Sequence, residues 1–392
     1  MKQNWTYKKL GEVCESDLGK TLNSKTDKGE LFPYLCAVNI LWDNIDLTTL
    51  KYTKFEASEL ERYSVRKGDL LVCEGGDIGR AAIWDKDEPI QYQNALHRIR
   101  FNGEVLPRFC LQYLHHLKNI GVLDNNYGKG VTIKHLVKSS LLSIPIPLPP
   151  LSTQSRIVSE LDLLQSIIDK QKAQLKEYDT LAQSIFYDMF GDPVENEKGW
   201  EVKKLGEVCE ITSSKRVYQS EWQTTGIPFY RISDFTQLIE KGNVNTELFI
   251  SEGKYEELKS NGLVPNAGDI LITSRGTLGN CYIVKNNDLF YFQDGMITWL
   301  KPNKELVCPL FIVFLFKSNS FRKQIDQNQS GTTVAYLSIS MLKKFDFPIP
   351  PLSLQQSFAA KIESIEKQKA AISKSIAETE KLFEYTMDKY FG

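Results

Sequence analysis

A long internal repeat constrains this chain more than any other feature. Trp5-Thr-Tyr-Lys-Lys-Leu-Gly-Glu-Val-Cys14-Glu15 returns 195 residues later as Trp200-Glu-Val-Lys-Lys-Leu-Gly-Glu-Val-Cys209-Glu210. Lys67-Gly-Asp69-Leu-Leu returns as Ala267-Gly-Asp269-Ile-Leu, and Pro149-Pro-Leu-Ser-Thr-Gln154 as Pro350-Pro-Leu-Ser-Leu-Gln355. Tyr187-Asp-Met-Phe-Gly191 returns as Asp388-Lys-Tyr-Phe-Gly392. Solenoid units repeat every ~20–50 residues, so this is a duplicated domain with its linker. Two similar modules on one chain can touch two places on one partner.

Composition places the chain among globular proteins, with 42% hydrophobic and 25% charged residues. The longest apolar run, Leu306 to Phe316, is far short of the ~20 residues a bilayer needs, and reads as a buried helix. The start lacks the basic-then-apolar run of a secretory leader. Seven scattered cysteines without a Cys-x-x-Cys pair fit a reducing compartment. A cytoplasmic protein without membrane association is expected. The net charge of −1 speaks against a uniformly basic nucleic-acid binder but allows local Lys and Arg patches.

Each half begins with short apolar runs and turn signals. Leu70–Val72 and Ile270–Thr273 read as buried strands, each opened by a Gly-Asp turn. Pro107 and Pro309 mark first turns of helices, where a missing N–H costs little; those helices run to about Lys118 and Ser318. The proline-rich stretches 143–150 and 347–351 must be extended. From Ser152 and Ser353, read as N-caps, the spacing locks to 4,3,4,3. The first series runs Ile157, Leu161, Leu164, Ile168, Gln171, Leu175, Tyr178, Ala182, Ile185, Met189; adding 201 gives the second, from Phe358, Ile362 and Ile365 through Lys369, Ile372 and Ile376 to Thr379, Phe383, Thr386 and Tyr390. A heptad sustained this long predicts a coiled-coil seam on helices of about 39 residues, roughly 58 Å each. Gln171, Lys369, Thr379 and Thr386 either lie at the seam edge or fix register. The short Gly191-Asp-Pro193 connection favours antiparallel pairing of the two helices, which would place the globular parts at opposite ends of a rod.

These features together resemble a specificity subunit of a type I restriction–modification system, over the whole length. Carrying the resemblance are Trp-x-x-x-Lys-Leu-Gly-Glu-Val at the start of each half and the Gly-Asp-Leu/Ile-Leu turns followed by Gly75-Gly-Asp-Ile-Gly79 and Arg275-Gly-Thr-Leu-Gly279. The Gly130-Val-Thr-Ile133 and Gly331-Thr-Thr-Val334 turns and the Pro-Pro-Leu-x-x-Gln hinges complete it. The resemblance implies an α+β chain of two similar mixed α/β target-recognition domains, separated by a long antiparallel two-helix coiled coil with a pseudo-twofold repeat. The domains would be 1–151 and 192–351, the helices 152–191 and 352–392. Each domain would read one half of a split sequence in double-stranded DNA. The helices would set the unread spacer and dock methyltransferase subunits, two in number, with restriction and translocase subunits joining through the complex. The chain would be non-catalytic and need no cofactor. It departs from the family at Cys36, where Pro-Tyr-Leu-Arg is common; the second half keeps Arg231.

Catalytic constellations are missing from the sequence itself. There is no Asn/Asp-Pro-Pro-Tyr/Phe motif for base-flipping methyl transfer, no phosphate loop of the Gly-x-x-x-x-Gly-Lys type, and no zinc spacing among His97, His115, His116 and His135. Glu201-Val-Lys203 and Glu252-Gly-Lys254 match a nuclease triplet that is frequent by chance. What remains is contact chemistry: Arg and Lys for guanine, Asn and Gln for adenine, hydroxyls and backbone N–H groups for phosphates. Candidate DNA contacts in the first half are Lys20, Lys25, Arg80, Asn125, Asn126, Tyr127, Lys129, Thr132 and Lys134. In the second they are Lys215, Arg216, Tyr218, Arg231, Arg275, Thr277, Gln327, Asn328, Gln329, Thr332 and Tyr336. The frameworks match but the segments between them do not: Asn94–Arg100 stands against Asp294–Leu300, so the two half-sites should differ and the target be asymmetric. The alternative is a coiled-coil scaffold with two protein-binding heads, which would bind no DNA. If the helices are a ruler, inserting four residues near Gln183 to Phe186 lengthens the spacer in the methylated motif and leaves both half-sites unchanged.

Overall fold

The computed structural model describes residues 5–23, 27–327 and 335–392. The chain forms two compact units, one running to Lys172 and completed by Lys374–Gly392, the other comprising Ala173–Ser373. Each unit holds one globular domain and parts of both long helices, which span Leu151–Phe190 and Leu352–Phe391.

In the first unit a four-stranded antiparallel sheet runs in the order Cys14–Leu18, Leu96–Phe101, Leu70–Cys73, Ala81–Ile83. Leu70 to Cys73 are buried throughout, as a central strand covered on both faces must be. A second sheet orders Lys51–Phe55, Glu30–Leu35, Ile90–Tyr92 and Ser64–Val65, with one parallel pairing between Glu30–Leu35 and Ile90–Tyr92. The second unit repeats the plan with Cys209–Ser213, Ile297–Pro302, Ile270–Thr273 and Cys281–Ile283. Its smaller sheet has three strands, Phe249–Ile250, Ile227–Tyr230 and Tyr291–Phe292.

The repeated opening words are structural. Thr6–Lys9 pairs antiparallel with Pro145–Leu148, and Glu201–Lys204 with Asp346–Ile349. A two-stranded ribbon needs donors only on the side facing its partner, so alternating prolines are tolerated. Leu-Gly-Glu-Val makes one helical turn that buries Leu10 and Val13, and likewise Leu205 and Val208. The aspartate of each Gly-Asp turn is buried. Asp69 accepts from Arg66 N at 2.8 Å and takes Arg100 bidentately, while Asp269 accepts from Asn266 N at 2.8 Å and from Trp299 Nε1 at 2.9 Å. The helices after Pro107 and Pro309 run to Asn119 and Lys317, and Phe311–Phe316 is buried as its composition requires.

The long helices begin one residue before the serines. Pro150 O accepts from Thr153 and Gln154, and Pro351 O from Leu354 and Gln355, so Ser152 and Ser353 lie inside the first turn and are not caps. The hinge is held by its glutamine. Gln154 is fully buried; its Oε1 accepts from Leu106 N at 2.8 Å, and its Nε2 donates to Glu104 O and Pro149 O. Gln355 does the same with Cys308 N, Leu306 O and Pro350 O. Each amide thus joins the long helix to the helix that begins with Pro107 or Pro309.

Within each unit the helices pair antiparallel. In the first, Glu160 meets Tyr390 at 2.6 Å and Gln171 meets Ser375 at 2.8 Å. In the second, Tyr178 meets Gln368 and Asp179 meets Lys369. Ile157, Leu161, Ile168, Phe358, Ile362, Ile365 and Ile376 are buried, and Leu164, Leu175 and Ile372 half-buried. Gln171 and Lys369 make cross-helix contacts, whereas Thr379 and Thr386 bond back to carbonyls of their own helix. Phe186 and Phe190 pack on Phe311 and Phe358 in the second unit; Phe391 packs on Phe109 and Tyr113 in the first. Among the described residues no helix is long and apolar enough to cross a membrane.

All four histidines lie in the first unit. Burial pushes the pKa of His97, His115 and His116 below the ordinary value of 6.5. The unfolded chain therefore binds more protons than the folded one below that value, so this contribution to stability is complete above pH 6.5 and is lost as pH falls through the lowered values. Hydrogen exchange compared at pH 7.5 and 5.5 should show the first unit losing more protection than the second. Gln154→Leu or Gln355→Leu strands a buried N–H and two carbonyls, and should each cost about 2–4 kcal/mol in denaturant titration, whereas Gln356→Leu, exposed on the same turn, should stay within about 0.5 kcal/mol.

Candidate nucleic-acid interface

In each unit loops from one end of the four-stranded antiparallel sheet converge, and they are the loops the sequence singles out. In the first unit Asn94 N donates to Lys20 O at 3.1 Å, and Asn94 Nδ2 to Thr21 Oγ1 at 3.2 Å. Glu74 N donates to Ala95 O, and Leu136 N to Glu74 O. Residues 19–23, 74–80, 93–95 and 129–136 are thereby tied into one surface. Gly75 is closely approached here: a Cβ would stand 3.2 Å from the His135 ring, so the ring would have to give way to any larger residue. Lys129 and His135 exchange both backbone hydrogen bonds, closing a small loop whose tip carries Val131, fully exposed, and Ile133, 64% exposed. His97 supports this loop from the sheet below, its Nε2 2.7 Å from Leu136 O. The carbonyl can only accept, so that nitrogen carries the proton, and burial keeps the ring neutral.

The second unit builds the same surface with other side chains. Ser274 N donates to Met296 O, Leu337 N to Ser274 O, and Gly295 N to Ser213 Oγ. Arg216 Nε pairs with Asp294 at 2.9 Å, and the Arg275 guanidinium lies 5.1 Å over the Tyr336 ring. Ser274 and Thr298 share a buried hydrogen bond at 2.6 Å in place of the histidine support.

The strand registers correct one comparison made from sequence. Leu96 stands opposite Cys73 and Ile297 opposite Thr273, so the strands correspond with a shift of 201, not 200. Ala95 and Met296 accept equivalent bonds from Glu74 and Ser274. The extra residue falls in the tip of the second unit's loop, where Gly295 takes a left-handed conformation (φ 68°) open to glycine. His97 thus corresponds to Thr298, and Arg98 to Trp299.

Individual candidates divide by exposure. Lys20 is 5% exposed and committed to Glu59 at 2.7 Å and Lys54 O at 2.8 Å, so its ammonium belongs to the interior. Arg80 donates to Ala37 O at 2.7 Å and holds that loop. Asn125 and Asn126 are exposed on the turn Leu123–Tyr127, with Tyr127 half-buried. Lys129 and Thr132 are exposed; Lys134 donates to Asp124 O. Lys215, Tyr218, Thr277 and Gln327 are exposed. Arg231 is exposed and pairs with Asp234 at the start of the helix Ile232–Lys241. Its first-half counterpart Cys36 opens a short turn in the same way, with Asn39 accepting from Cys36 N as Asp234 accepts from Arg231 N. Lys25, Asn328, Gln329 and Thr332 lie outside the described residues. Asn94, Thr21, Asp294 and Ser213 tie the surface together without belonging to any motif, and of these the sequence points only to Asn94 and Asp294, which open the segments where the halves diverge.

Among the described residues no group of three His, Cys, Asp or Glu side chains could hold a metal ion. Glu201 pairs with Lys203 at 3.4 Å on the first strand of the second unit, and Glu252 lies in the first turn of the helix Glu252–Ser260.

Comparison with known proteins places this geometry. The family described as the type I restriction modification DNA specificity domain matches residues 2–177 and again 197–381. A putative type I restriction enzyme specificity subunit of Haemophilus influenzae is 27% identical over 301 residues, covering 74% of each chain. The specificity subunit of the type I restriction enzyme MjaIX of Methanocaldococcus jannaschii is 24% identical over 388 residues, covering 93% of this chain and 87% of the relative. Among solved structures, one described as the structural basis of complex assembly and conformational transition of the type I restriction–modification system matches with a TM-score of 0.63 at 20% identity, covering 99% and 97% of the two chains. The crystal structure of a type I restriction–modification S subunit from M. genitalium matches at 0.55 and 16% identity, covering 99% and 96%. These structures speak to the fold alone. Matched in both of its halves, the chain belongs to the type I restriction–modification DNA specificity family.

Proposed function

We propose that this chain is the non-catalytic DNA-recognition subunit of a type I restriction–modification complex. Each globular domain, 1–151 and 192–351, reads one half of a bipartite target in double-stranded DNA through the loops that converge at one end of its antiparallel sheet. The helices 152–191 and 352–392 set the unread spacer and dock two methyltransferase subunits, through which restriction and translocase subunits join. The observation carrying this reading is the same loop surface built twice on one framework with different side chains. Asn126, Lys129 and Thr132 are exposed in one unit and Lys215, Arg275 and Thr277 in the other, and Arg275 and Thr277 stand where the first unit has Gly75 and Asp77. Different side chains at equivalent places read different bases, so the target is asymmetric. A scaffold with two protein-binding heads would not require loops rich in amides, hydroxyls and exposed cations.

The partners would share the phosphate grip, since the chain's net charge is −1. In the complex with methyltransferase subunits, Lys129→Ala and Arg275→Ala should each weaken target binding by about 1–3 kcal/mol if they read bases. A phosphate contact would instead weaken all sequences alike and flatten the salt dependence. Filter-binding or anisotropy titrations on target and scrambled duplexes separate the two. No loss on any duplex would contradict the interface.

The structure moves the place where the ruler should be lengthened. Phe186 is 1% exposed in the core of the second unit, so an insertion near Gln183 to Phe186 would break packing. Exposed positions at Ala173, Gln174, Lys176 and Glu177, matched by Ala370, Ala371 and Ser373 on the other helix, are the suitable place. Seven residues inserted in both helices keep the seam in phase and add roughly 10 Å, about three base pairs of DNA. Methylation mapping should show the spacer lengthened and both half-sites kept; altered half-sites would contradict the ruler.

A further inference from the structure

With a net charge of −1, the chain can grip phosphates only through local groups of cations. One such group lies outside the loops described above, on the edge of the first unit's second sheet. The edge strand Lys51–Phe55 reads Lys-Tyr-Thr-Lys-Phe, and its Lys51, Tyr52 and Lys54 are exposed, Tyr52 by 64%. Among the described residues neither ammonium has an ion-pair partner. Three other exposed cations of this domain are compensated: Arg66 by Glu61, Lys67 by Asp87 and Lys86 by Asp85. The carboxylates of this strand pair, Glu30 and the Glu56 that follows the edge strand, stand at its far end, where Glu30 is opposite Phe55. Lys54 is opposite Leu31 and Tyr52 opposite Pro33, so strand alternation puts Tyr52 and Lys54 on one face.

Two observations place this strand beside the converging loops. Lys20, whose ammonium is buried, donates from it to Lys54 O at 2.8 Å, while its backbone N–H donates to Tyr92 O and its carbonyl accepts from Asn94 N. The registers set Lys51 opposite Tyr34 and Leu35 opposite Tyr92, so the edge strand begins at the same end of the sheet as Gln93 and Asn94. Two strand spacings, roughly 10 Å, separate them, within the ~12 Å width of a major groove. A duplex whose base edges meet the loop 93–95 therefore brings a sugar–phosphate backbone over the edge strand. In the second unit the strand in the same topological place, Phe249–Ile250, carries no lysine and is flanked by Glu247 and Glu252.

We infer that Lys51, Tyr52 and Lys54 form a phosphate-binding flank of the first domain, which grips the DNA backbone beside one half-site only. This rests on the proposed function. The two ammoniums and the Tyr52 hydroxyl contact phosphate oxygens, adding affinity without reading bases. Lysines on an edge strand also guard against pairing with another chain; that role alone would leave DNA binding untouched.

The test uses the full chain in complex with its methyltransferase subunits, titrated on target and scrambled duplexes across roughly 50–200 mM salt. Lys51→Gln with Lys54→Gln should weaken binding to both duplexes by the same factor. It should also lower the slope of log affinity against log salt by about 1.8, at about 0.9 per phosphate contact, so that the unsubstituted complex loses about tenfold more affinity over that range than the variant. Lys51→Arg with Lys54→Arg keeps both charges and should keep the slope; Lys86→Gln should leave it alone. Neutral methylphosphonates beside one half-site should weaken the unsubstituted complex and no longer weaken the glutamine variant. Beside the other half-site the two complexes should respond alike. An unchanged slope, or a methylphosphonate response that the glutamine variant leaves unchanged at both half-sites, would overturn the flank and leave the proposed function standing. An unsubstituted complex that binds neither duplex would overturn both.

Discussion

The buried glutamine of each hinge is the contact on which the rest depends. A long amphipathic helix leaving a small domain has no intrinsic direction, because the Pro-Pro pair directly before it supplies no donors to fix it. Gln154 and Gln355 solve this with one amide each, accepting from the residue that caps the neighbouring helix, Leu106 or Cys308, and donating to two carbonyls. Both are fully buried, where an amide makes all of these bonds or pays for each one missed. The direction of the helix, and hence which apolar residues form its seam, follows from that contact.

Much of this organisation was legible in the sequence because duplication repeats whatever the fold requires. The heptad series names seam residues that are buried or half-buried, and the Pro-Pro-Leu-x-x-Gln, Gly-Asp and Leu-Gly-Glu-Val words each mark a packing or turn requirement. The Ser152 and Ser353 caps were misread because serine after proline is a strong local signal, while the first helical carbonyl belongs to the proline itself. The second sheet of each unit escaped because several of its strands are short, as at Ile90–Tyr92 and Tyr291–Phe292, and one pairing is parallel, formed between residues about 60 apart. No local pattern announces such a pairing.

The candidate surface was legible in part for the same reason. Glycine-rich turns pointed to the right loops, and Gly75 lies in close approach to the His135 ring. Residue types alone could not separate an outward lysine from an inward one: Lys129 is exposed, whereas Lys20 is buried against Glu59. The one-residue insertion at Gly295 is hidden because the Gly-Asp turns before it keep a shift of 200, although Leu96, Ile99 and Arg100 match Ile297, Leu300 and Lys301 at 201. The halves diverge in their loops and in the second sheet, which has four strands in one unit and three in the other, and these are the places where a duplicated framework is free to acquire two specificities.

Genome-wide mapping of adenine methylation tests the central claim most directly, comparing cells that carry this chain and its methyltransferase partner with cells lacking this chain alone. The account predicts one asymmetric split motif, methylated in the first strain and unmethylated in the second. A motif that persists without the chain, or a palindromic one, would contradict it.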